Sequence, residues 1–293
     1  MEHMKQIEVL VPLSEMTFTA VQDGMWSDVS TWGGTRLPNT DAKVHIPNNI
    51  VVSYDRYNNT PLSTVRVDGS LVFSYTKSTK MLVSTIVTTM GSYLSIWPNQ
   101  GSTSSVVFRD SPFPLTDLEQ LGNGLVAFGE VDICGASKSS HLTMDFVSAG
   151  SDYININGDS FDWSIGDELV IVGTGNGSRD EVRTITSVVG GTFGLSSPLS
   201  YDHEPPMPLL LDTYVGNLTR NVVFSSENPD GIRGHVMLHN AGSVVSNAEF
   251  KDMGRTDASI ATGTSTNPEG RYPIHLHMIG TDADGPSSFI YGN

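Results

Sequence analysis

Gly270-Arg271-Tyr272-Pro273-Ile274-His275-Leu276-His277-Met278 is the stretch on which the fold turns. Successive side chains of a strand point to opposite faces, so Ile274, Leu276 and Met278 share one face and His275 and His277 the other. The upstream run Gly234-His235-Val236-Met237-Leu238-His239-Asn240 repeats the pattern: Val236 and Leu238 on one face, His235, Met237 and His239 on the other. Two further strand-like runs, Asn221–Phe224 and Val244–Phe250, share the region. Recurrence at roughly 20 residues predicts stacked coils of a parallel β-helix. The apolar face must then be the inside of the coil, which turns the imidazoles outward.

Residues 16–150 read as a first β-rich unit. Short runs such as Lys43–Ile46, Ile50–Ser53, Thr64–Val67, Ser70–Phe73, Thr85–Thr88, Tyr93–Ile96 and Ser105–Phe108 are separated by turn residues. Such runs make a sandwich, a barrel or a solenoid. Asp68-Gly69 is a tight-turn signal, and Leu115–Leu121, closed by Gly122, is the clearest helical candidate. Residues 151–208 read as a small inserted β unit, with Pro205, Pro206 and Pro208 at its exit, and residues 209–293 as the β-helix coils. Residues 1–15 read as an extension whose start, Met1–Lys5, has the look of an appended tag, so a native leader is expected to have been removed.

The 293 residues are 38% hydrophobic, with 29 Gly and 15 Pro, a composition suited to many short strands and tight turns. No apolar stretch is long enough to span a bilayer. One cysteine, Cys134, excludes a disulfide framework and reads as a small buried residue. The net charge of −16 repels nucleic acid and anionic membranes. It also weighs against acidic polysaccharides unless a cation or a basic patch offsets it.

Several segments resemble the eight-glycine (G-eight) family. They are Gly24-Met25-Trp26 through Trp32, Val44-His45-Ile46-Pro47, Asp68–Phe73 and Gly91–Leu94, then Ile165–Glu168, Glu181–Ile185 and Leu199–His203. Gly234–Met237, Phe250–Arg255 and, most specifically, Arg271-Tyr272-Pro273-Ile274-His275-Leu276-His277 continue the likeness; Arg255 stands where the family usually has glutamine. The resemblance implies an all-β protein with a G-eight domain, a small β unit and the start of a right-handed parallel β-helix. It implies a secreted or cell-surface location, and hyaluronan binding or hyaluronidase-like cleavage. The family also contains fibrocystin, so a non-catalytic adhesion or structural solenoid, on a cell surface or a virion appendage, is the alternative. The family β-helix runs for many more coils, so the open end is expected to be covered by further coils, a partner subunit or a capping loop.

Residue by residue, His235, His275 and His277 are the expected metal ligands, because His-x-His on a strand projects two imidazoles the same way and a neighbouring coil supplies a third. His239 is the less secure fourth member. Zinc or another transition metal is the expected ion. Calcium on loops such as Asp282-Ala283-Asp284 is the alternative. Glycoside cleavage needs two carboxylates. Glu249 and Asp252, with Arg271 to clamp a sugar carboxylate, are the candidates, and Asp212, Asp257 and Arg220 stand behind them. Trp26, Trp32, Trp97 and Trp163 are either sugar platforms or core. Asn58, Asn176 and Asn217 lie in glycosylation sequons.

Overall fold

The computed structural model describes residues 2–158, 162–175, 177, 179–204, 211–264, 266–280 and 287–293. It divides the chain into two compact units. One comprises Met1–Ala136 with Asn221–Tyr291, the other Ser137–Arg220. The inserted unit is therefore larger than the expected 151–208, and the coils resume at Asn221 instead of 209.

In the first unit, parallel stacking begins at Phe18 and not at residue 209. One ladder runs through Phe18–Thr19, Lys43–Ile46, Tyr57–Val67, Thr79–Thr88, Gly124–Ala127, Val236–Leu238 and His275–Leu276. A second runs through Gly24–Met25, Val51–Tyr54, Ser70–Phe73, Tyr93–Ile96, Glu130–Cys134, Val244–Ser246 and Phe289–Tyr291. Ser104–Phe108, Val222–Ser226 and Ala248–Lys251 stack in parallel on a third side. Of the sandwich, barrel and solenoid that the strand lengths leave open, this is the solenoid.

The register explains the core. Val44, Val65, Ile86, Leu125 and Val236 sit one above another and are fully buried. Phe108, Phe224 and Phe250 form a ring stack along the third side, with centroids 6.2 and 5.4 Å apart. Apolar rows of this kind hold one coil on the next, since each buried Val, Leu, Ile or Phe contributes about 1.5–3 kcal/mol. Asp68-Gly69 is a corner between two ladders and not a hairpin, because the strands flanking it pair with other coils. A Cβ at position 69 would collide with the carbonyl oxygens of Pro47 and Ile50, so the corner needs glycine for close approach.

Two expectations about helices are corrected. Leu115–Leu121 is turn, not helix: Pro112 and Pro114 lead into it, and the Asp117 carboxylate accepts the Leu121 and Gly122 amides, each at 2.8 Å. The helix is instead Glu2–Leu10. Ile7, Leu10 and Val11 pack on Val87, Leu121, Val126, Phe128 and Met237 of the outer wall. Arg66 donates to Glu8 at 2.7 Å and to the Val11 carbonyl at 3.0 Å. The extension read over residues 1–15 thus covers an apolar strip, through residues that lie past its tag-like start at Met1–Lys5. Ile7→Ala is expected to lower unfolding free energy by about 2–4 kcal/mol; an unchanged urea midpoint would show that the helix does not carry that packing.

The second unit is a six-stranded antiparallel sheet. Its core is Met144, Ile154, Trp163, Leu169, Ile171, Ile185, Phe193 and Val215, among others. Asn217, one of the sequon residues, is buried and donates to Asp167 at 2.7 Å, so its side chain is committed inside the fold. Asn176 and the Pro205–Pro208 exit lie outside the described residues.

Candidate functional site

The wall that carries His275 and His277 borders a cleft of about 630 Å³. One side is the turn Leu118–Gln120; the other is the segment Pro268–Arg271 with His275, His277 and Met278. The floor positions follow from the strand register. His275 stands beside Met237 of the previous coil, and Leu276 beside Leu238. His277 follows, with its amide on the Leu238 carbonyl at 2.8 Å.

The imidazoles are close but differently employed. Ring centroids of His275 and His277 are 5.1 Å apart, and His277 lies 4.7 Å from His239, which in turn stacks on Phe128 at 4.4 Å. His275 Nδ1 is 2.8 Å from the Gly270 carbonyl, an acceptor, so Nδ1 carries the hydrogen and Nε2 of the neutral ring is left to accept. Tyr272 packs edge-on against the same ring at 5.6 Å.

His235 does not join them on the surface. Its side chain leaves the coil on the outer side, as the alternation requires, yet it is fully buried. The ring lies over Gly124 of the preceding coil, where a side chain would collide with it, and Arg255 Nη1 approaches its Nδ1 at 3.2 Å. Burial, then the Arg255 and Arg271 charges, hold its pKa well below the ordinary histidine value. Outward from a coil is therefore not the same as open to solvent: the 113–123 loop covers this position. His239 is the member that pairs with His277, contrary to its lower standing in the sequence. Among the described residues no group of three or more His, Cys, Asp or Glu side chains is placed to hold a metal ion, so the expected His235–His275–His277 ligand set is not assembled. Asp282–Asp284, the calcium alternative, lies outside the described residues.

Arg271 and Arg255 anchor the cleft wall. Arg271 donates to the carbonyls of Gln120 (3.0 Å), Glu269 (2.6 Å) and Glu119 (2.7 Å). Arg255 donates to those of Arg233 (2.7 Å), Gln120 (2.5 Å) and Gly122 (2.9 Å), and its guanidinium sits 5.1 Å from the Phe113 ring. Burial, and then the neighbouring Arg271, bring the Arg255 pKa down to about 9. Arg271, expected to clamp a sugar carboxylate, instead holds the backbone of the two segments that face each other across the cleft.

Glu249 and Asp252 do not line this cleft. Glu249 lies half-buried on the third ladder, on the strand face opposite Ala248 and Phe250, and Asp252 occupies an exposed turn with φ +55°. The carboxylates that do line it are Glu119 and Glu269, both exposed. Glu269 directly precedes the Gly270-Arg271 motif, a signal that was readable. Glu119 was not, because its partner Arg271 is 152 positions away in sequence. Arg220 belongs to the other unit, where it donates to the carbonyls of Asn217, Thr219 and Gly292. Trp26, Trp32 and Trp163 are core residues, leaving Trp97 as the exposed tryptophan.

Residues 31–144 match the family model described as the G8 domain. The chain carries a G8 domain. Its matched residues form consecutive coils of the solenoid and reach a few residues into the inserted unit, so the G8 domain here is not a separate body ahead of a β-helix. Among curated proteins, three G8 domain-containing proteins of Dictyostelium discoideum are similar to it. One is 26% identical over 54% of this chain, the others 24% and 23% identical over 87% of it. The chain spans only 10%, 23% and 19% of their respective lengths. Among solved structures, the Gp54 tailspike of Acinetobacter baumannii bacteriophage AP22, in complex with A. baumannii capsular saccharide, is similar at 14% identity and TM-score 0.23, covering 64% of this chain and 29% of that one. No helix among the described residues is long and apolar enough to cross a membrane.

Proposed function

We propose that this G8 protein acts outside the cell on carbohydrate, taking a polysaccharide segment in the cleft between Leu118–Gln120 and the Pro268–Met278 wall. The observation that carries this reading is the meeting of two carboxylates and two imidazoles on one open surface whose facing backbones are tied together by Arg271. A carbohydrate site needs an open, concave surface with polar groups fixed in place. Carboxylate oxygens accept sugar hydroxyls, and His275 Nε2 adds a further acceptor. The exposed Leu118 and Met278 give the rim apolar contact for the C–H face of a ring. A pair of carboxylates is also the group type that acid–base cleavage of a glycosidic bond employs.

Retention on a panel of immobilised polysaccharides, by the parent and by a His275→Ala/His277→Ala variant, tests the reading. The parent is expected to bind at least one, and the variant to bind it at least about tenfold more weakly, equivalent to about 1.4 kcal/mol. Release of reducing ends by the parent alone assigns a hydrolase; retention without release assigns a binding module. Failure of the parent to retain any glycan, or equal retention by the variant, overturns the reading.

A further inference from the structure

The cleft's charges point to the kind of sugar it accepts. Resting on the glycan reading above, we propose that it takes uncharged sugar units and rejects uronate and sulfated ones.

Three observations lead there. First, the charged side chains exposed at the lining are both anionic, Glu119 and Glu269. Second, the cation in the lining is already engaged. Arg271 is 6% exposed and spends Nε, Nη1 and Nη2 on the carbonyls of Gln120, Glu269 and Glu119. Arg255, behind it, spends Nη1 and Nη2 on the carbonyls of Arg233, Gln120 and Gly122, and among the described residues no lysine lines the cleft. Third, the chain as a whole carries −16, so a polyanion is repelled before it arrives.

An incoming sugar carboxylate or sulfate would meet two like charges and no guanidinium fork to receive it. A neutral pyranose meets acceptors suited to its hydroxyls. The same guanidinium separates this site from a uronate clamp: three of its five N–H groups hold the cleft wall and the side chain is buried, so turning Arg271 to grip a carboxylate would cost backbone hydrogen bonds of that wall.

The test compares each polysaccharide the protein retains with a derivative of the same backbone that differs in charge. A neutral polymer is paired with its carboxymethylated or sulfated form, a uronate polymer with its methyl-esterified form, all at pH 8. The neutral member of each pair is expected to bind at least about tenfold more tightly at low salt, about 1.4 kcal/mol, which lies between the roughly 1 kcal/mol of a like-charge contact at about 4 Å in water and the roughly 4 kcal/mol near a protein surface. The gap is expected to narrow in 0.5 M salt, where the screening length is only a few ångström (about 3 Å at 1 M). Glu119→Gln/Glu269→Gln is expected to raise binding of the charged member; both side chains are exposed, and an unchanged melting temperature confirms the fold. Equal or tighter binding of the charged member, lost in the His275→Ala/His277→Ala variant, would leave the glycan site standing and overturn the charge preference. Absence of binding to every polymer overturns both.

Discussion

Arg255→Ala is expected to lower unfolding free energy by about 3 kcal/mol or more and to release the 117–123 turn from the wall. The guanidinium serves three backbone carbonyls from two distant segments, and each buried acceptor left without a donor costs about 1–3 kcal/mol. Breaking a buried hydrogen-bond network is among the few mechanisms that produce losses of this size. The turn itself has no regular hydrogen-bond ladder; it is folded around Asp117 on one side and the two arginines on the other. Hydrogen exchange at Leu121 and Gly122 reads the local effect and urea unfolding the global one. Arg255→Gln, the residue usual in the family at this point, is expected to fall between parent and alanine, because the amide donates but cannot reach three carbonyls at once. If Arg255→Ala leaves both exchange and midpoint unchanged, the arginines do not build the cleft wall.

Acidification is expected to destabilise the inserted unit through Glu181. Burial pushes this carboxyl up, but the Ser200 and Tyr201 amides and His203 outweigh it and hold the pKa at about 2, against 4.5 for the free side chain. The amides stand 2.8–3.0 Å from the carboxylate oxygens and His203 Nε2 3.1 Å, with Arg183 also paired. Because the folded carboxyl is the stronger acid, the unfolded chain takes up the proton first as pH falls. The stabilisation is therefore complete above about pH 4.5 and disappears as pH drops towards 2, for a total of about 3 kcal/mol. Glu181→Gln is expected to cost about 2–4 kcal/mol at pH 7, since it removes the carboxylate that accepts the Ser200 and Tyr201 amides, contacts His203 and pairs with Arg183. The same variant should flatten the acid limb. The indole N–H of Trp163, buried on Phe193 and donating to Ser139 at 2.8 Å, reports on this unit specifically. An acid limb unchanged by Glu181→Gln would refute the assignment.

The alternation in Val236–Leu238 made the coil and its inward face legible, because a strand's period of two is a local property; in the last coil it holds for Ile274, which packs on the core, while Leu276 and Met278, expected inside, are exposed because the strand ends at Leu276. It also made legible that His275 and His277 point out of the coil. Three things were hidden, and each depends on contacts between residues far apart in the chain. The cover over His235 comes from a loop more than 110 positions earlier, which no periodicity registers. The docking of Ile7, Leu10 and Val11 needs the apolar strip Val87–Val126–Met237, and that strip exists only once three coils are in register. The role of Arg271 is hidden because a guanidinium in a polar motif suggests an anion partner, whereas here three of its donors go to backbone carbonyls. The early coils stay open between sandwich, barrel and solenoid in the sequence for a related reason: strand length and turn spacing are alike in all three, and the parallel register of Lys43–Ile46 on Tyr57–Val67 separates them.

The most direct measurement is a backbone and imidazole NMR titration of the protein with an oligosaccharide of whichever polysaccharide it retains. Saturable shifts centred on His275, His277, Gly270 and Glu119, absent at Trp97 and across the inserted unit, are the predicted result. Shifts confined to Trp97 or to the inserted unit, with the cleft resonances unmoved, would place the sugar elsewhere and contradict the central claim.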